Sequence, residues 1–298
     1  MNLFLQLLSN GLVVGAIYGM FAIGFAFVFA VTRVFHLAQG AVYTLAAFVF
    51  YFVYVEADLH PAFAVLVAAA VAVVAGVLCE VLVYRPLRKR SEGDQMSTMV
   101  VALGIVIVVE NTIGLVFGAQ PRGFSSGSIS GSVDFLGISL TVPQVQIVGV
   151  ALLILVLSLA FIRFTKPGRE MEAVSDNPDL AELVGVSVRR TYIWAFVAGS
   201  VVVAVAALMV GRNTGIYPTM GLNPVLVGAV AVIVAGNGRL LPVFGSGVVM
   251  GLLENLAVLK LPSGWQPTVL FGALVIVLLA RPYGLFSSRE RSFVQWSS

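Results

Sequence analysis

Nine stretches in which apolar side chains run almost without interruption divide the chain: 5–31, 41–55, 63–84, 99–117, 145–162, 192–210, 224–235, 243–259 and 267–280. Their 3.6-residue periodicity is weak, as expected of helices surrounded on all sides by lipid or by other apolar helices, and closed barrels would instead carry short alternating strands. Several stretches reach the roughly 20 residues that cross about 30 Å of hydrocarbon at 1.5 Å per residue. The pattern therefore predicts an all-α, polytopic membrane bundle of about eight segments, within a range of seven to nine. The first run is long enough to require a tilt, a break or an interfacial turn. Residues 224–259 are open to two readings, since two short segments could cross separately or dip and return.

Composition agrees: 59% of the 298 residues are apolar and 10% charged, against roughly a quarter charged in soluble domains. The whole chain, 1–298, reads as one membrane domain. Its N-terminus lacks the basic region of a cleavable signal and its first apolar run is too long for a signal core, so that run is expected to persist as structure. A single cysteine, Cys79, excludes an intrachain disulfide.

Lysine and arginine set the orientation. Of 17 such residues, four fall in 85–90, five at Arg163, Lys166, Arg169, Arg189 and Arg190, and three at Arg281, Arg289 and Arg291; these twelve are expected in the cytoplasm. The Gly/Ser-rich loop 118–142 then lies outside, with the N-terminus outside and the C-terminus inside. These basic clusters are short and flank apolar runs, so they read as topology determinants and give no sign of nucleic-acid binding.

One stretch breaks the apolar pattern, "KPGREMEAVSDNPDLAELVGV" at 166–186, with five acidic residues against two basic ones. It predicts two short surface helices inside a cytoplasmic loop, 163–190. The second is punctuated by Asn177 as N-cap, Pro178 at the first helical position, Asp179 and Glu182 near the positive helix end, and Gly185 as the stop. Met171 and Val174, then Leu180, Leu183 and Val184, recur at helical spacing as an apolar face. Such an element rests on lipid or docks in a groove of another protein; its acidity favours the protein.

Within the membrane, polar and helix-breaking residues carry the information. Gly11, Gly15 and Gly19 repeat every four residues, a spacing that lets a neighbouring backbone come close. Glu110 and Asn111 either line a solute path or bond to another helix, and Glu254 raises the same question with a structural role favoured. Glu80 sits one to two turns from Arg85 and Arg88, where pairing is cheap. "FHLAQGAVYTL" places Gln39 and Gly40, with Tyr43 one turn on, at the start of a segment; "VAGNGRLLPVFG" interrupts another at Gly236, Gly238 and Pro242. Paired breaks of this kind in transporters expose helix ends to the solute, so these residues are the expected pathway candidates. Enzyme chemistry finds little support. The G-x-S-x-G match at 123–127 lies in a Ser/Gly-rich loop with no strand before it, the only histidines are His36 and His60, and no zinc or phosphate-loop motif occurs.

The polar stretch resembles the coupling loop of permease subunits of bacterial ABC importers, specifically of the branched-chain amino-acid type. The matching residues there are Gly168, Arg169, Ala173, Ala181 and Gly185. Further matches are Gly11, Gly15, Tyr18 and Gly19; Glu80 and 85–88; 218–221; 236–238; Gly247, Gly251 and Glu254; and 281–286. The chain departs from the family at Glu172, where a second arginine is usual, at Gln39, where histidine is usual, and at Pro242, where glycine is usual. The resemblance implies two cytoplasmic ATP-binding subunits that hold ATP-Mg, a second homologous permease, an extracytoplasmic solute-binding protein and a small-molecule solute. It implies no cofactor in this chain and a place in the bacterial inner membrane. A self-contained secondary transporter or channel, using Glu110 and Glu254 for a coupling ion, is the alternative.

Overall fold

The computed structural model describes residues 3–90, 95–124, 132–135, 138–236 and 239–281. Among these, eight helices are long and apolar enough to cross a membrane, as the hydropathy pattern predicts. The helices are α1 (Leu3–Thr32), α2 (Gln39–Tyr51), α3 (Pro61–Leu78), α4 (Arg85–Arg90), α5 (Gln95–Phe117), α6 (Val142–Phe164), α7 (Lys166–Asp176), α8 (Pro178–Leu183), α9 (Val188–Thr214), α10 (Leu222–Ala235), α11 (Leu240–Ala257) and α12 (Gln266–Ala280). Wider i→i+5 turns prolong α2 through Phe52–Glu56 and α3 through Cys79–Tyr84.

The axis of the bundle is α1. From Met20 to Val28 its side chains are almost all buried, enclosed by α6, α9, α10 and α11. Lipid is as apolar as leucine, so helices in a membrane associate through close packing and polar bonds and gain little from burying apolar area as such. The sequence answers this with glycine on both partners. Gly11, Gly15 and Gly19 run antiparallel to Gly251, Gly247 and Phe244 of α11, so closely that a Cβ on Gly15 would fall 2.7 Å from Val248 Cα and one on Gly247 2.6 Å from the Gly19 nitrogen. Small residues serve α3 in the same way. Ala64, Ala68, Ala72 and Gly76 are its buried positions, while Leu66, Val74 and Leu78 point outward.

At one end of the bundle Arg122 ties the loops together. Its backbone pairs with Ile216 through two hydrogen bonds, 2.8 and 2.7 Å. Its guanidinium forms an ion pair with Glu56 at 3.0 Å, donates to the Phe117 carbonyl and lies 5.3 Å from the Tyr51 ring centroid. Loop 118–142 is not wholly irregular: strands β1 (Ser132–Phe135) and β2 (Ile138–Thr141) form an antiparallel hairpin. Residues 125–131, and with them most of the G-x-S-x-G match, lie outside the described residues.

The opposite end carries α7 and α8. Region 224–259 forms two helices, α10 and α11. The first has only 14 residues, about 21 Å, and falls short of a full span. It stops at Gly236, whose φ of +87° is the left-handed helix end that glycine accepts without strain. Gly238 lies outside the described residues. Arg239 to Pro242, where α11 begins, then share a cleft of about 530 Å³ with Met171 and Ser175 of α7.

Candidate coupling surface and solute path

The two surface helices form as their punctuation predicts. Thr165 caps α7, its hydroxyl accepting from Gly168 N at 3.1 Å while donating to the Phe161 carbonyl at 2.6 Å. Asn177 Oδ1 accepts from Leu180 N at 3.0 Å and caps α8, and Gly185 ends it at φ +88°. Gly168 has a second reason to be glycine. A Cβ there would lie 2.8 Å from the Phe161 carbonyl carbon of α6, so any side chain would push α7 off the bundle. Arg169 and Ala173 are exposed.

The apolar residues of this pair do not share one face. Met171, Val174 and Ala181 are buried against the bundle, whereas Leu180, Leu183 and Val184 are 60%, 82% and 80% exposed. The cause is Asn177: its extended backbone (φ −156°, ψ 107°) interrupts the helix, so spacing counted through it no longer maps onto a common side. The inward set anchors the pair and the outward set forms a bare apolar patch on a rigid support.

The first break also forms, between α1 and α2. Gly40 packs against Gly221, and a Cβ on Gly40 would fall 2.8 Å from the Gly221 carbonyl oxygen. Gly221 precedes α10, and Thr44 also approaches it. The first turns of α2 and α10 thus cross antiparallel inside the bundle. In the second stretch, Arg239 to Pro242 lie beside α7, and Gly236 is exposed. No signal within either stretch betrays this pairing, because it joins residues 181 positions apart.

Gln39, Gly40 and Tyr43 are buried, so in this chain they shape the crossing from within. The Gln39 amide nitrogen donates to the Gly199 carbonyl at 3.4 Å, whereas the Tyr43 hydroxyl and Gln39 Oε1 find no hydrogen-bond partner among the described residues. Just before them His36 is buried, with Nδ1 2.7 Å from the Tyr84 hydroxyl and its ring against Phe196. Burial lowers its pKa to about 3, which keeps the imidazole neutral.

The carboxylates divide as well. Glu254 accepts a 2.8 Å hydrogen bond from Tyr18, an α1–α11 link consistent with a structural role. Glu80 is buried and paired with Arg88, whose guanidinium lies 4.8 Å from the Tyr192 ring centroid. Glu110 differs. One of its oxygens is buried without a partner, and Asn111 beside it bonds only back to Ile107 O of its own helix, at 2.7 Å. On the same side of α5 a Cβ at Gly104 would meet nothing within 4 Å, and one at Gly114 only Pro218, at 3.9 Å. This side of α5 is uncovered: Glu110, Asn111 and the two glycines sit there among exposed Val100, Leu103 and Ile107. Sequence reasoning overlooked Arg33, Thr165 and Arg122 as tethers, since lone polar residues at segment ends read first as topology determinants.

Residues 7–279 match the family described as the permease component of branched-chain amino acid transport systems. The chain belongs to that family. This ABC permease is 27% identical to the high-affinity branched-chain amino acid transport system permease protein LivH of Salmonella typhimurium, over 96% of each chain. It is 25% identical to the permease protein BraD of Pseudomonas aeruginosa, over 96% of this chain and 97% of that one. Among solved structures, PsaBC from Streptococcus pneumoniae in complex with Fab covers 93% of the permease at 13% identity, with a TM-score of 0.51, a likeness of fold alone. The permease is thus a multi-pass protein of the bacterial inner membrane and a transporter subunit, with ATP hydrolysis in separate subunits.

Proposed function

We propose that this permease forms half of the pathway for a branched-chain amino acid or a related small amphipathic solute, beside a second homologous permease. In this reading two cytoplasmic subunits that hold ATP-Mg power it, and an extracytoplasmic binding protein delivers the solute. Residues 163–190 are the cytoplasmic coupling loop and 118–142 lie outside.

The observation that carries this reading is the bare patch of Leu180, Leu183 and Val184 on two capped helices, whose buried side, Met171 and Val174, is packed on the bundle. A rigid knob of this kind transmits displacement. An apolar patch mounted on acidic helices suits a protein groove better than anionic lipid. The uncovered side of α5 is the wall this chain offers to the solute, because Glu110 and Asn111 facing bare lipid would be costly. The names of the relatives support the amino-acid class of solute.

The test is ATP-dependent uptake of labelled leucine by the complete importer in vesicles, with isoleucine, valine and unrelated amino acids as competitors. The expected result is uptake that needs ATP and is inhibited by the branched-chain set. Accumulation of solute by the isolated permease without ATP would overturn the coupling, and uptake indifferent to all three amino acids would overturn the solute class.

A further inference from the structure

Two non-glycine residues among those described have left-handed backbones, Asp58 (φ 51°) and Arg33 (φ 55°). Asp58 occupies a short polar turn, where aspartate tolerates this conformation. Arg33 stands where α1 ends. Its N–H bonds to the Phe29 carbonyl at 2.9 Å, closing the helix with the left-handed cap that glycine ordinarily supplies because any Cβ is strained there. Nothing about ending a helix calls for arginine at this position, so the strain points to a task for the side chain.

That side chain crosses to α7. Arg33 Nη2 donates to the Ser175 carbonyl at 3.0 Å. Ser175 lies in the last turn of α7, where carbonyls lack helical partners and the helix end attracts a cation. The Arg33 carbonyl in turn lies 3.5 Å from the side-chain amide of Gln95, at the start of α5. One residue therefore joins the ends of α1 and α7 to the beginning of α5. From Arg33 the chain runs through His36, held between Tyr84 and Phe196, to Gly40 at its crossing with Gly221.

We propose that Arg33 is a positioning residue that conveys movement of α7 into the α1–α2 connection, and through it to the α2–α10 crossing and to α5. The inference rests on the reading of α7 and α8 as the force-receiving helices. Met171 and Val174 hold α7 against the bundle as a whole. The Arg33 tie links its far end to the non-helical segment that leads from α1 to Gly40 at the buried glycine crossing.

The decisive variant is Arg33→Gly in the complete reconstituted importer. It removes the tie and at the same time relieves the backbone, so a merely structural role and a coupling role make opposite predictions. The expected result is a thermal unfolding midpoint equal to or above the wild type, with ATPase subunits bound and ATP hydrolysed. Solute moved per ATP should fall at least tenfold, and Arg33→Lys should recover a large part of the loss by restoring a cation that reaches α7. Transport per ATP within twofold of the wild type in Arg33→Gly would overturn the proposal. So would a variant that fails to assemble, since that would make Arg33 a folding residue. Absence of ATP-driven uptake by the wild type would refute the parent reading instead, so the two failures are distinct.

Discussion

Leu183→Asp is the sharpest probe of the coupling surface. Leu183 is 82% exposed, so the bundle owes it little, and substitution should leave the thermal unfolding of the isolated permease unchanged. Docking into a groove changes its surroundings entirely. Burying a whole leucine side chain is worth about 1.5–3 kcal/mol; at this exposure, seating it recovers most of that, about 2 kcal/mol. Leu183→Ala should therefore weaken binding of the ATP-binding subunit by about thirtyfold, at 1.4 kcal/mol per decade. Aspartate loses the same contact and also places a carboxylate in an apolar groove, at a further cost of about 2 kcal/mol or more, for a total near a thousandfold. The assay is titration of the solubilised permease with purified ATP-binding subunit, read by fluorescence anisotropy, with Val174→Asp as the contrasting buried position. Val174→Asp should damage the fold first; Leu183→Asp should damage only the association. If Leu180→Asp and Leu183→Asp each change the dissociation constant less than threefold, the patch is not the docking surface and the coupling argument falls.

Other outcomes follow from the packing and the titrating groups. Gly15→Ala places a Cβ 2.7 Å from the Val248 backbone, an overpacking that should cost about 1–3 kcal/mol and lower the unfolding midpoint of purified protein; an unchanged midpoint would mean that the α1–α11 crossing is looser than described. Glu110→Gln should cut solute uptake at least tenfold while ATP-binding subunits still associate, as measured by uptake and co-purification together; full uptake would remove Glu110 from the path. His36 has its pKa lowered by burial from 6.5 to about 3, so below pH 6.5 the unfolded chain binds a proton that the folded one refuses. The stability this represents is present above 6.5 and is lost as pH falls: about 2 kcal/mol by pH 5, at about 1.4 kcal/mol per pH unit. The unfolding midpoint should drop between pH 7 and pH 5 in the wild type and drop less in His36→Gln; equal slopes would show that other groups govern the acid sensitivity.

What could be read in advance was whatever is local. Asn177, Pro178 and Gly185 delimit α8 as their side chains and backbone preferences require, because capping is settled within one turn of chain. The apolar runs became helices for the same reason: a chain in lipid must satisfy its own backbone, and a helix does so within the segment. The glycines at 11, 15 and 19 announced a close approach without naming α11. The face division of α7 and α8 was misread because one extended residue shifts the helical phase. The meeting of Gly40 with Gly221 was invisible, since it depends on how α9 returns through Pro218 to Gly221.

Glu254 and Glu110 show why the site argument has to come from the structure even when the residue type looks decisive. Both are carboxylates in apolar helices, and the sequence offers both for a pathway or a coupling ion, favouring a structural role only for Glu254 and only slightly. Tyr18, projecting from the glycine-bearing stretch of α1, reaches Glu254 at 2.8 Å, and this is possible only because Gly15 and Gly251 bring the two backbones close. The packing motif thus creates the partner that makes Glu254 structural. On α5 no such partner reaches the buried Glu110 oxygen among the described residues, and Gly114 one turn on approaches only Pro218, at 3.9 Å, where Glu254 has a neighbouring helix. Glu110 is therefore a carboxylate whose own subunit leaves one oxygen without a partner, and under the proposed function it is the second permease and the solute between them that complete it.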